Sequence, residues 1–86
     1  MNNNGDNLKS EIIIYGTEYC KYCHIAKDYL KDKGFNYKYI DVGQDKAQAE
    51  IMINKTGQRS IPVIEIGDQI LVGFDPDKIN KLLNIN

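Results

Sequence analysis

The sequence predicts an α/β fold with the element order βαβαββα, three helices packed on a small four-stranded mixed sheet. Three observations predict it. Short β-branched runs alternate with stretches of helical spacing, a Gly-Asp pair joins two runs as a tight hairpin does, and the last element carries a complete helix-start signature. With 86 residues, 42% of them apolar and 27% charged, the chain fits one globular domain over 11-86, preceded by a polar tail over 1-10 expected to be flexible.

The elements follow in order. "EIIIY" is too short for a helix, and its successive apolar residues mark a central strand buried on both faces. Gly16 to Tyr19 reads as a turn, and a helix starts at Cys20. Tyr22, Ala26, Tyr29 and Leu30 supply its apolar face, Lys27, Asp28, Lys31 and Asp32 the other, and Gly34 its stop. "FNYKYIDV" alternates as a half-exposed strand does. In "DKAQAEIMINKTG", Asp45 and Gln48 stand as a capping box, Ala49, Met52 and Ile53 face inward, and Gly57 ends the helix. "IPVIEIGDQILVG" gives two strands joined at Gly67-Asp68, with Pro62 at a strand start or edge. Finally Asp75 is the N-cap, Pro76 the first helical residue, Phe74 and Ile79 a hydrophobic staple, and Ile79, Leu82 and Leu83 the buried face.

Charge and hydropathy narrow the function. Eleven basic against twelve acidic residues, without a basic run, point to no nucleic-acid partner. No apolar run is long enough for a signal peptide or a membrane span, so a cytoplasmic protein without a membrane partner is expected. In that reducing compartment the only two cysteines, in "YCKYC", are read as redox or metal-binding before they are read as a staple.

On one helix Cys20 and Cys23 stand one turn apart, at a Cα separation of roughly 5 Å that a disulfide accepts. Unpaired backbone N–H groups at the helix start favour the thiolate of Cys20, and Lys21 adds a positive charge. A thiol moved from about 8.5 to about 6.5 gains roughly 25-fold in thiolate at pH 7 and loses about 8-fold in intrinsic nucleophilicity. The larger benefit is a better leaving group when Cys23 resolves the mixed disulfide. Other readings stand beside this one. A structural disulfide over so short a loop adds only about 2 kcal/mol. Zinc within one chain lacks a fourth ligand even counting His24, which otherwise reads as an exposed helix residue, whereas zinc or an iron–sulfur cluster could be shared between two chains.

"CKYC", "SIP" and "GFD", in this order, resemble the Cys-Pro-Tyr-Cys, Thr-Val-Pro and Gly-Gly-x-Asp motifs of the glutaredoxin branch of the thioredoxin-fold family, over about Glu11 to Leu83. The resemblance implies a thioredoxin-like fold and a monomeric thiol-disulfide oxidoreductase acting on disulfide-containing proteins or glutathione mixed disulfides. It implies no bound cofactor or metal, and glutathione as reductant. It assigns Cys20 as nucleophile, Cys23 as resolving thiol and Tyr22 as a wall of the substrate groove. Pro62 would be cis, with the Ile61 backbone pairing to substrate. Gly73, Phe74 and Asp75 would meet the γ-glutamyl end of glutathione, and Gln58 or Arg59 its glycyl carboxylate. Helix physics alone also accounts for Asp75 as a cap, Tyr22 as core and Arg59 as a solvated charge.

The chain departs from that pattern at Thr17, where lysine is frequent, and at Lys21, where proline is usual. "CHIAK" and "GFDPDKINKL" resemble instead the NrdH-type redoxins, which reduce ribonucleotide reductase and are themselves reduced by thioredoxin reductase. Leu71, Val72 and Asp75 replace the Trp, Ser and Arg usual there.

Overall fold

The computed structural model describes residues 11–85. The expected tail over 1-10 lies outside them. The elements are β1 (Ile12–Gly16), α1 (Lys21–Asp32), β2 (Lys38–Asp41), α2 (Lys46–Thr56), β3 (Val63–Ile66), β4 (Gln69–Val72) and α3 (Pro76–Leu83). The sheet order is β2-β1-β3-β4, with β1 parallel to β2 and antiparallel to β3, and β3 antiparallel to β4. The expected βαβαββα order and mixed sheet are therefore both present.

Each face of the sheet buries its own cluster. Ile12, Ile14, Ile64 and Ile66 pack with Ala26 and Leu30 of α1 and Ile79 of α3. Tyr15 and Val63, on the other face, pack with Met52 of α2. This is why "IIIY" is apolar at every position: β1 is central and alternate side chains meet different helices.

Local chemistry ends the helices where the sequence indicates. α1 closes with a Schellman arrangement, in which Gly34 at φ 84° donates its N–H to the Lys31 carbonyl and Phe35 donates to that of Leu30. Gly57, at φ 75°, ends α2 in the same left-handed region. The Asp75 carboxylate accepts from the Lys78 N–H at 3.3 Å, and Pro76 opens α3. Phe74 joins the cluster that contains Ile79, as a staple requires. The hairpin turns at Gly67-Asp68, with Ile66 opposite Gln69.

Three expectations need correction. The apolar face of α1 runs through Cys23, Ala26 and Leu30, all fully buried, whereas Tyr22 is 56% exposed. Cys23 and Tyr22 are neighbours in sequence, and either continues a helical stripe to Ala26; the sheet beneath selects the smaller side chain. The strand in "FNYKYIDV" covers only Lys38–Asp41, because its pairing with β1 runs from Ile13↔Lys38 to Gly16↔Asp41 and ends with β1. The capping box at α2 is half formed. Asp45 accepts from the Gln48 N–H at 3.1 Å, but its own N–H already donates to the Asp41 carbonyl at 3.0 Å, leaving the glutamine nothing to accept.

Candidate active site

The end of the sheet where β1 finishes and β3 begins carries the cysteines. Tyr15 pairs with Val63, so the chain leaving β1 at Gly16 runs beside the chain entering β3 at Pro62. The Gly73 N–H donates to the Pro62 carbonyl at 2.7 Å, bringing the residues before α3 to the same end. Ile61-Pro62 is cis, as the resemblance implies, and the fully buried Pro62 immediately precedes β3.

Cys20 is the N-cap of α1, with extended backbone (φ −89°, ψ 114°). Its sulfur accepts from the Cys23 N–H at 3.2 Å, the role usually given to a serine or aspartate oxygen. An N–H aimed at a sulfur at a helix start stabilises the thiolate over the thiol. Cys20 is half-buried and Cys23 fully buried, so approach from solvent meets Cys20 first. The two are joined as a disulfide with Cα atoms 5.2 Å apart.

The turn leading to Cys20 is held by contacts that sequence reasoning missed. His24, expected to be exposed, is half-buried, and its Nε2 lies 2.6 Å from the Glu18 carbonyl oxygen. A carbonyl only accepts, so the ring donates from Nε2. The Tyr39 hydroxyl donates to the Thr17 carbonyl at 2.6 Å. Burial first, then the neighbouring Asp41 and Tyr37, hold the Tyr39 phenol above its ordinary value of 10.0. No spacing in the sequence marks these contacts, because each closes a loop whose path is set by the sheet.

The remaining site residues divide by what their side chains do. Tyr22 and Tyr19, 56% and 92% exposed, flank Cys20 in sequence and leave their rings open to a ligand. Ile61 packs against the α2-side cluster, so its contribution to a substrate is its backbone. Phe74 is also committed inward, stacked edge-on against Tyr29 with centroids 5.5 Å apart. Gly73, at φ 93°, makes the left-handed turn between β4 and α3. Asp75 is engaged as a cap, and Gln58 and Arg59 are exposed on the loop between α2 and β3.

Among the described residues no group of three or more His, Cys, Asp or Glu side chains is placed to hold a metal ion, and no helix is long and apolar enough to cross a membrane.

Comparison with known proteins supplies the context. The family model described as Glutaredoxin matches residues 12–71. An uncharacterised glutaredoxin-like 8.6 kDa protein in the rubredoxin operon of Clostridium pasteurianum is 38% identical over 72 residues, covering 84% of this chain and 96% of that one. The glutaredoxin-like protein NrdH of Escherichia coli is 37% identical over 71 residues, covering 83% and 86%. A solved structure of the Escherichia coli NrdH-redoxin, a glutaredoxin-like protein with a thioredoxin-like activity profile, superimposes with a TM-score of 0.76 at 36% identity, covering 84% and 93%.

Proposed function

The chain belongs to the glutaredoxin family and has its thioredoxin-like fold, and from that premise we propose that it reduces disulfides by dithiol exchange, as a single chain in the reducing cytosol. The observation that carries this reading is the asymmetric pair, a solvent-reachable Cys20 capping α1 and a buried Cys23 directly behind it. The Cys20 thiolate attacks a substrate sulfur and forms a mixed disulfide. Cys23 then attacks Cys20 Sγ, the substrate leaves as a thiol, and an external reductant reopens the pair.

Glutathione is the proposed reductant, bound along Tyr22, the Ile61 backbone, Arg59 and the Gly73-Phe74-Asp75 segment. A peptide-like ligand laid against Ile61 would add its hydrogen bonds at the sheet end that cis-Pro62 borders. Turnover with glutathione and glutathione reductase on a small mixed disulfide tests this. Thr17→Lys restores a cation and should improve the apparent glutathione affinity a few-fold, since one exposed ionic contact contributes about 0.2 to 1 kcal/mol.

Asp75 permits a second separation. Asp75→Ala should destabilise the protein by about 1 kcal/mol through loss of the cap. Asp75→Asn keeps the cap but removes the charge, so it should leave the denaturation midpoint unchanged and raise the glutathione KM. An Asn variant with unaltered KM would confine Asp75 to its structural role.

The similarity to NrdH favours a second reading, a redoxin that feeds ribonucleotide reductase and is reduced by thioredoxin reductase. Turnover with thioredoxin reductase and none with glutathione would establish it. Colour or bound metal in protein purified without oxygen would instead point to a cluster or zinc shared between two chains.

A further inference from the structure

Gly16 ends β1 beneath the first turn of α1, and its φ is not in the left-handed region, so the position does not use glycine's conformational freedom. It uses glycine's lack of a side chain. A Cβ there would stand 2.6 Å from Cys23 Sγ, 2.9 Å from Cys23 Cβ and 2.6 Å from the Tyr39 hydroxyl oxygen. The buried sulfur from α1 and the phenol from β2 therefore converge on one bare patch of backbone.

We propose that Tyr39 is the positioning residue of the resolving thiol: its hydroxyl accepts from the Cys23 S–H in the dithiol form and donates to the Cys23 thiolate as that sulfur attacks Cys20. The proposal rests on the dithiol-exchange reading and names the group that makes its second step work. Cys23 must become a thiolate to resolve the mixed disulfide, yet it is fully buried, and burial disfavours the charged form. A hydroxyl can both accept and donate, and it changes role by rotating its hydrogen.

Its anchoring suits the task. Donation to the Thr17 carbonyl holds the phenol oxygen on the same side of Gly16 as the sulfur, each of them 2.6 Å from the position a Cβ would take, and a turn about the C–O bond redirects the hydrogen without moving the ring. The groups facing the phenol are Asp41 at the end of its own strand, Tyr37 just before that strand, and Lys27 of α1, whose Nζ lies 4.4 Å from the ring centroid. On the helix turn that carries Cys23, the His24 ring is engaged with Glu18. Since the phenol keeps its proton beyond its ordinary range, it serves as a donor and not as a base. In the step itself the Cys23 proton goes to solvent, and the Cys23 electron pair forms the bond to Cys20 Sγ. The bond from Cys20 to the substrate sulfur breaks, and its electrons leave with that sulfur, which takes a proton from solvent.

The test uses the full chain in a Cys20→Ser background, following the NMR chemical shift of the Cys23 Cβ against pH. Adding Tyr39→Phe should raise the pH at which Cys23 titrates by about one unit, the scale of a lost hydrogen bond to a charged group. With both cysteines present, single-turnover resolution near pH 7 should slow roughly three- to fourfold, a roughly tenfold loss of thiolate being partly offset by the greater nucleophilicity of the more basic sulfur, while the first attack by Cys20 keeps its rate. A fluorinated tyrosine at position 39, of nearly unchanged shape but a stronger donor, should lower the Cys23 titration, and this protein decides the matter if Tyr39→Phe does not fold. Tyr29→Phe, which removes a hydroxyl bonded to Asn80 in the clasp of α1 on α3, should leave it in place. A Cys23 titration unmoved by the fluorinated tyrosine, or by Tyr39→Phe in folded protein, overturns the proposal. No disulfide substrate enters the titration, so its outcome is independent of whether the chain turns over any substrate.

Discussion

Cys20→Ser should abolish disulfide exchange with every reductant, whereas Cys23→Ser should keep activity on glutathione mixed disulfides and lose it on protein disulfides that need a second thiol. The asymmetry follows from burial and capping. Cys20 accepts the Cys23 N–H at the start of α1 and is reachable from solvent, while Cys23 is fully enclosed. Alkylation of the reduced protein should accordingly show Cys20 as the faster thiol, reacting well below the usual thiol range of about 8.5. A serine at 20 retains a capping oxygen, so the variant should fold and the loss should belong to chemistry alone. Finding Cys23 to be the faster and more acidic thiol would reverse the two roles.

The parts of the fold that were legible in the sequence are those decided within a few residues. Asp75 acts through its own carboxylate, and Pro76, Gly67-Asp68, Gly34 and Gly57 act through their own backbone geometry, and each stands where its chemistry requires. The cysteine pair was legible for the same reason, since three residues of helix fix its spacing. What the sequence concealed was decided by packing across elements. Periodicity assigned Tyr22 and not Cys23 to the buried face of α1, because the two lie side by side and only the position of β1 beneath them distinguishes them. The reach of His24 back to Glu18 and of Tyr39 across to Thr17 depends on where the turn after β1 lies, which no local pattern states. Phe74 shows how both kinds of information combine. Its sequence position makes it a staple, and its stacking on Tyr29 commits the ring to the core, leaving only its backbone for the proposed glutathione contact.

Gly16→Ala isolates the crowding at the foot of the site. Glycine inside a strand is ordinarily a weakness, and alanine there should stabilise by about 0.5 to 1 kcal/mol where the backbone accepts it. Crowding predicts the opposite sign. The new methyl would meet Cys23 Sγ, Cys23 Cβ and the Tyr39 oxygen all under 3.0 Å, and two of these atoms belong to a helix residue with no free space to retreat into. Relief requires α1 to lift at its first turn, at a cost of roughly 2 to 3 kcal/mol for overpacking. For a chain of this size that is a fall in Tm on the order of 10 to 20 °C. The same lift separates Cys23 from Tyr39, so the resolving step should slow more than the first attack on substrate. Adding Tyr39→Phe removes one of the three obstructing atoms and should recover part of the lost stability, leaving the collision with the sulfur. Thermal denaturation of the single and double variants checks both statements. A stabilised Gly16→Ala protein would mean that the close approach of sulfur, phenol and backbone does not constrain this position.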